Sequence, residues 1–265
     1  MSDPQGSRVL RIIAIANQKG GVGKTTTAIN LGAALSRSGF RVLIVDVDPQ
    51  GNASTGLGVA ADDRATSSYD ILMEQADPRD AIRRTNVENL WIIPATTDLS
   101  SADIELMANE KRSYLLHDAL RTLRIEGAAA DYILIDCPPS LNLLTVNALV
   151  AAHSVIVPLQ SEFFALEGLS QLMLTIREVR EAANPSLRIE GVALTMHDKR
   201  NNLAQQVEED ARENLGDLVF DTVIPRNVRL SEAPSFAMPV LDYDPNSRGA
   251  EAYRALAAEL VARTT

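Results

Sequence analysis

Residues 17 to 27, Asn17-Gln18-Lys19-Gly20-Gly21-Val22-Gly23-Lys24-Thr25-Thr26-Thr27, gather the residue types that hold a phosphate, and they include two of the four lysines in the chain. Glycines let successive backbone N–H groups turn inward around an anion, and a helix that begins after them adds its partial positive charge. Lys24 is spaced to reach the β- and γ-phosphates of a nucleotide, and the Thr25 hydroxyl, with Thr26 beside it, to bind Mg²⁺. The common pattern G-x-x-x-x-G-K-[ST] asks for a glycine at position 18, where the chain has Gln18. The loop therefore departs from that pattern at its first position and carries an extra lysine, Lys19. A ligand-free strand-to-helix turn is the plain alternative, but strand, glycines, lysine, threonine and helix coincide here.

Two acidic clusters accompany the loop. Asp136 ends the apolar run Tyr132-Ile133-Leu134-Ile135, the position of a carboxylate that holds the Mg²⁺ shell. Asp46 and Asp48 close the run Val42-Leu43-Ile44-Val45 and, two residues apart, would point the same way if the strand continued through both. Asp46 is a candidate support for Lys24 or the metal. Asp48 is a candidate metal ligand, and its carboxylate would orient a water for in-line attack on the γ-phosphate. Asp48-Pro49 also reads simply as turn initiation. Gly51, Gly56 and Gly58 make the following loop responsive to a γ-phosphate.

Positioning these groups needs strands that end where the motifs begin. Continuous apolar runs recur at residues 9–16, 41–48, 89–95, 131–139, 154–160, 188–196 and 217–225, with helical stretches between them. Such runs read as strands covered on both faces, and alternation with helices predicts an α/β fold with a doubly wound, mostly parallel sheet flanked by helices. Residues 24–40 predict a helix stopped at Ser38-Gly39. Residues 167–185 predict an amphipathic helix closed at Asn184-Pro185, and residues 248–264 a terminal one. Loop-rich segments at 47–68 and 137–142 fall just after strands, where ligands bind in open α/β sheets. The whole of 1–265 reads as a single domain, with residues 1–7 a flexible lead.

Composition bounds the rest. With 46% hydrophobic and 23% charged residues, the 265-residue chain has the make-up of a soluble globular protein, and no apolar stretch is long enough to cross a membrane. The N-terminus lacks the basic and small-residue features of a signal peptide, so a cytoplasmic location is expected. A single cysteine, Cys137, excludes an internal disulfide framework, and no Cys or His spacing suggests zinc or iron–sulfur binding. His117, His153 and His197 read as surface or packing residues. The net charge of −10 argues against a broadly basic surface and for attraction to basic partners.

Together these motifs resemble the deviant Walker A ATPases, P-loop NTPases that include the ParA/Soj chromosome-partitioning proteins. The resemblance runs through residues 17–35, 42–58, 131–141, 158–172 and 223–253 and so covers nearly the whole chain. It implies Mg²⁺-dependent ATP hydrolysis, slow until a ParB-like centromere-binding partner stimulates it. It also implies an ATP-held homodimer in which Lys19 reaches across to the partner's nucleotide while Lys24 serves its own. Asp48 is assigned by it to hydrolysis, Asp136 to sensing Mg²⁺ and phosphate, and Pro225, Arg226 and Asn227 to the adenine side of the pocket.

The same resemblance implies non-specific binding of duplex DNA, and hence association with the nucleoid, through basic residues of the C-terminal third. Lys199, Arg200, Arg226 and Arg229 occupy that stretch, among Glu208, Glu209, Asp210 and Glu213. MinD-like positioning ATPases that act on membranes or other protein partners are the alternative. They end in a basic amphipathic helix, whereas residues 251–265 here carry few charges and predict an apolar face packed on the body, so no membrane partner is expected. Only about seven residues precede the first strand, too few for a DNA-binding domain ahead of it, which disfavours operator-specific repression.

Overall fold

The computed structural model describes residues 9–162 and 165–263. The expected flexible lead, 1–7, lies outside the described residues, as do two residues of the 158–172 block. Seven strands, β1 (Arg11–Ile15), β2 (Val42–Asp46), β3 (Arg83–Arg84), β4 (Leu90–Ile93), β5 (Tyr132–Asp136), β6 (Ser154–Gln160) and β7 (Arg188–Thr195), form one sheet in the order β3-β4-β2-β5-β1-β6-β7. All neighbours are parallel except β3, which runs antiparallel to β4 at the edge. The predicted fold class is the observed one.

Helices cover both faces, which is why the strand sequences are apolar without interruption. Ile13, Ile15, Val42, Ile44 and Leu134 pack with the Lys24–Arg37 and Arg248–Ala262 helices on one face. Ile12, Ala14, Leu43, Val45, Ile133 and Ile135 pack with the Leu115–Leu120, Leu143–Ala151 and Ala165–Ala182 helices on the other. Each fully buried Leu or Ile is worth about 1.5–3 kcal/mol of transfer free energy, so the central strands carry the sheet.

Two sequence expectations are corrected. Residues 217–225 do not form a strand: Val219 and Pro225 make isolated bridges to the β7 side, and the Phe220 and Ile224 amides donate to the Val192 and Leu194 carbonyls at 2.9 and 2.8 Å, without a continuous ladder. The ladder is interrupted by a distant residue: the Glu259 carboxylate accepts from the Asp221 and Thr222 amides at 2.8 and 2.9 Å, and Thr222 N is the donor that would follow Phe220 N along β7. Strand β2 also stops at Asp46, so Asp48 lies in a turn rather than on the strand.

What positions the site is register. Asp46 pairs with Asp136 and Ile15 pairs with Asp136 across adjacent strands, so β1, β2 and β5 end level. The phosphate-loop sequence leaves β1, the Asp48 turn leaves β2 and the 137–142 loop leaves β5, all at one sheet edge.

Candidate functional site

The turn after β1 takes its shape from glycine. Gly21 and Gly23 have φ values of +74° and +88°, which favour glycine, and Gly23 stands immediately before the Lys24–Arg37 helix. No acidic residue lies in the helix's first turn, so its positive end is not neutralised from within. Among the described residues a Cβ on Gly20 would meet nothing within 4 Å, so packing against them does not explain why that residue is small.

Lys24 is buried, and its Nζ donates to the Lys19 carbonyl at 3.1 Å, closing the loop on itself. Burial pulls its ammonium below the ordinary lysine value, against the opposing pull of Asp136 and Asp48. Lys19 goes the other way. Its half-exposed Nζ meets Glu162 Oε2 at 3.0 Å, while Gln160 Nε2 donates to the other Glu162 oxygen.

Asp136 is fully buried, and neither carboxylate oxygen has a hydrogen-bond partner among the described residues. Burial and then the Asp46 charge push its pKa well up, with the nearby Thr25 and Lys24 pulling it down. An orphaned buried carboxylate costs free energy unless a proton or cation meets it. Thr25 and Asp136 are thus brought together in the way a cation bound beside a phosphate requires. Among the described residues no group of three or more His, Cys, Asp and Glu side chains is arranged to hold a metal alone. That suits Mg²⁺, which keeps several waters and takes substrate phosphates as ligands.

Asp46 does not support Lys24. Its oxygens accept from the Asp48 amide at 3.2 Å, the Ser54 amide at 2.9 Å and the Ser54 hydroxyl at 2.7 Å. It pins the Asn52–Gly56 helix under the site, and burial pushes its carboxyl up to about 6 in spite of these donors. Asp48 is nearly buried, and one oxygen accepts from Gln50 N at 3.0 Å. The turn-forming reading of Asp48-Pro49 is therefore realised, in a residue that also acts electrostatically on Lys24 and Asp136.

Pro225, Arg226 and Asn227 are brought to the loop. With Gly23, Thr26, Thr195, Met196, Ile224, Leu230, Ser231 and Tyr253 they line a cavity of about 140 Å³ beside the helix start. Six of its residues, Thr195, Met196, Ile224, Leu230, Ser231 and Tyr253, escaped sequence reasoning. Thr195 Oγ1 donates to the Val22 carbonyl at 2.8 Å, Met196 holds a positive φ of 53°, and the Tyr253 hydroxyl shares a buried hydrogen bond with Thr27 Oγ1 at 3.1 Å. Thr195 and Tyr253 lie more than 150 positions from Val22 and Thr27, so no local pattern betrays them. Asn17, by contrast, sits within the motif: it accepts from Lys19 N and donates to the Pro158 carbonyl.

The basic residues separate into two groups. Lys199, Arg200 and Arg226 line a second cavity of about 1270 Å³, joined by Arg248, which the sequence did not single out. Asp198, Glu208, Asp221 and Glu251 share its wall, which explains why net charge hides it. Arg200 is paired with Asp198 at 2.9 Å, whereas no ion pair among the described residues engages Lys199, Arg226 or Arg248. Arg229 is not in that lining: it pairs with Glu232 at 2.8 Å and Asp244 at 3.2 Å. The Arg248–Ala262 helix buries Ala250, Tyr253, Leu256, Ala257 and Leu260, so its apolar face packs on the body as expected. No helix among the described residues is long and apolar enough to cross a membrane.

Comparison with known proteins agrees with this geometry. A family model described as an AAA domain matches residues 10–189. The chain is 59% identical over 254 residues to the chromosome partitioning protein ParA of Caulobacter vibrioides, covering 96% of this chain and 95% of that one. It is 56% identical over 252 residues to the sporulation initiation inhibitor protein Soj of Bacillus subtilis, covering 95% and 98%. Among solved structures, cobyrinic acid a,c-diamide synthase from Mycobacterium smegmatis with bound ADP and magnesium superposes with a TM-score of 0.82 at 38% identity, covering 96% of this chain and 94% of that one. A glycine-shaped loop ahead of a helix, a level orphaned aspartate and end-to-end identity above one half place the chain in the ParA/Soj family of chromosome-partitioning ATPases.

Proposed function

We propose that this chain is a single-domain Mg²⁺-dependent ATPase working as a partitioning switch. As an ATP-held homodimer in the cytoplasm it binds nucleoid DNA without sequence preference, and it lets go after hydrolysis stimulated by a ParB-like partner. The observation that carries this reading is the meeting of a two-lysine phosphate loop with Asp136, a buried carboxylate whose oxygens have no hydrogen-bond partner among the described residues. The names of the Caulobacter and Bacillus relatives support it, as do the ADP and magnesium in the Mycobacterium neighbour.

In this reading the loop amides of Gly20 to Lys24 and the Lys24 ammonium grip the phosphates. Thr25 and Asp136 would hold the metal, with Asp48 a further candidate ligand. Mg²⁺, when bound, neutralises charge on the phosphoryl group. Asp48 orients the attacking water, from a turn that Asp46 and Ser54 keep in place. Pro225, Arg226 and Asn227 wall the base side of the pocket. Lys19 leaves Glu162 to reach the nucleotide of the second copy. An exposed pair of that kind is worth at most about 1 kcal/mol, so the exchange is cheap.

Lys199, Arg200 and Arg226 supply the DNA contacts, and joining two such patches in a dimer gives avidity that one lacks. Arg229 contributes less directly, through the ion pairs that shape the 225–232 segment. The test is binding to a random-sequence duplex with ATP, ADP or a non-hydrolysable ATP analogue at two salt concentrations. Salt-sensitive binding restricted to the triphosphate states is expected. Normal ATP-dependent dimerisation with no DNA binding in any state would remove the DNA half of this reading.

A further inference from the structure

The sequence does not single out Arg64, a half-buried residue of the loop-rich segment after β2. Its Nε donates to the Val59 carbonyl at 3.2 Å, Nη1 to the Ala95 carbonyl at 3.1 Å, and Nη2 to Thr55 Oγ1 and again to the Val59 carbonyl, both at 2.8 Å. Asp62 and Asp63 precede it in the chain, yet among the described residues no carboxylate is in an ion pair with it. A guanidinium bonded in this way is a clamp. Its planar fork fixes three acceptors in set directions, which a lysine ammonium on a flexible stem does not.

What it clamps is the chain that leaves Asp48. Gly51 N donates to the Asp48 carbonyl at 2.9 Å, and Gly51, with φ at +61°, stands immediately before the Asn52–Gly56 helix. Thr55 Oγ1 donates to the Gly51 carbonyl at 3.1 Å while it accepts from Arg64, so two hydrogen bonds link the guanidinium to Gly51. The two residues also pack directly, because a Cβ added to Gly51 would collide with Arg64 Nη1. From the other side, Ser54 Oγ donates to Asp46 and accepts from Ala95 N at 3.0 Å. Ala95 joins the two holds: its N–H reaches Ser54 and its carbonyl reaches Arg64. The helix beside Asp48 is gripped by Asp46 within the core and by Arg64 outside it.

We propose that Arg64 is a positioning residue for ATP hydrolysis: by bonding Thr55, Val59 and Ala95 together, it holds the turn from which Asp48 orients the attacking water. Arg64 does not line the cavity beside the phosphate loop, so it acts through Asp48 and not on the nucleotide. In-line attack demands a closely fixed geometry, and a loosened turn costs rate without weakening the grip of the loop amides and Lys24 on the phosphates. The consequence is a loss confined to turnover. This rests on the ATPase reading above and deepens it, naming what keeps its water-orienting residue in place.

The test is steady-state turnover of the full chain with Mg²⁺ over a range of ATP concentrations, beside titration with a fluorescent nucleotide. Arg64→Ala is expected to lose about tenfold or more in kcat, while KM and nucleotide affinity stay within about twofold of the unaltered chain. Arg64→Lys keeps the charge but not the fork, and is expected to behave like Arg64→Ala. Thr55→Val removes one acceptor from an exposed residue of nearly the same shape, and reports on the same contact should Arg64→Ala fail to fold. It is expected to show a smaller loss of kcat, again with KM unchanged, and to add nothing to the loss in Arg64→Ala. An unaltered kcat in Thr55→Val or Arg64→Ala, a fall in nucleotide affinity that accounts for the lost turnover, or full activity in Arg64→Lys overturns the proposal. The ATPase reading fails separately, if the unaltered chain hydrolyses no ATP.

Discussion

Lys24 donates its ammonium to the carbonyl of Lys19, 3.1 Å away, so the lysine facing the phosphate pocket also fixes the backbone from which the second lysine departs. The two have opposite surroundings, one buried and the other paired at the surface with Glu162. Lys24→Ala is therefore expected to lose nucleotide binding outright. Lys19→Ala is expected to bind nucleotide within about fivefold of the unaltered chain, the loss of one exposed pair being worth at most about 1 kcal/mol, yet to fail to dimerise with ATP. Titration with a fluorescent nucleotide and light scattering separate the two, and normal dimerisation of Lys19→Ala would refute the trans role.

Asp48 serves both its turn and, in the proposed mechanism, the water. Replacing it with Ala removes an acceptor for Gln50 N, a cap-like loss of about 1 kcal/mol. The catalytic loss should be much larger, about a hundredfold or more in turnover, as when a general base is removed. Stopped-flow phosphate release and DNA retention read the two together: a chain that binds ATP, stays on DNA and releases little phosphate is expected. Turnover near that of the unaltered chain would show that Asp48 only shapes the loop.

Most of the frame was legible in the sequence because both sheet faces are covered: residues such as Leu43 and Ile44 face opposite layers, and both must be apolar. The phosphate loop was legible because its chemistry is local. Residues 217–225 have the same apolar look and form no strand, because Glu259, 38 residues from Asp221, captures the amides that decide the matter. Thr195 on Val22 and Tyr253 on Thr27 are long-range contacts of ordinary residues and leave no trace in spacing. Asp46 as a support for Lys24 was misread for a similar reason, since only the fold brings Ser54 under it.

Acid should stabilise the nucleotide-free protein before it harms it. The Asp46 carboxyl is raised from 3.8 to about 6, so between those values the folded chain holds a proton that the unfolded chain has lost. Its stabilising contribution is therefore fully present below 3.8 and disappears as pH rises through about 6, and Asp136 acts in the same direction. Denaturant midpoints without Mg²⁺ or nucleotide are expected to gain about 1 kcal/mol from about pH 7.5 to about pH 5.5 through this group. Asp46→Asn should flatten the trend, and a trend unchanged by that substitution would place its source elsewhere.

Gly191 lies on β7 against the ring of Phe220, and an added Cβ would come within 2.5 Å of Phe220 Cε2. Phe220 is fully buried and cannot swing out, so Gly191→Ala should cost about 1–3 kcal/mol by overpacking. Combining it with Phe220→Leu should cost less than the sum of the two single changes, because the smaller side chain relieves the same clash. Additive losses in chemical denaturation would contradict the contact.

The basic residues of the C-terminal third should not behave alike. Arg229 is held by Glu232 and Asp244 and lies over the Tyr243 ring at 6.0 Å, so reversing its charge breaks structure before it touches DNA. Lys199 and Arg248 line the large cavity, neither in an ion pair among the described residues, and are available to a phosphate backbone. Lys199→Glu and Arg248→Glu are expected to weaken ATP-dependent DNA binding for every sequence tested and to reduce the salt slope by about one each, with thermal stability unchanged. Arg229→Glu is expected to lower the unfolding temperature, and to weaken DNA binding only in proportion to the protein left folded. Nucleotide affinity, measured alongside, guards against an indirect effect, since Arg226 lines both cavities and its reversal would disturb both. Should Arg229→Glu abolish DNA binding in a chain of unaltered stability, while Lys199→Glu and Arg248→Glu leave it intact, the DNA surface lies on the Arg229 side of the molecule and the large cavity serves another purpose.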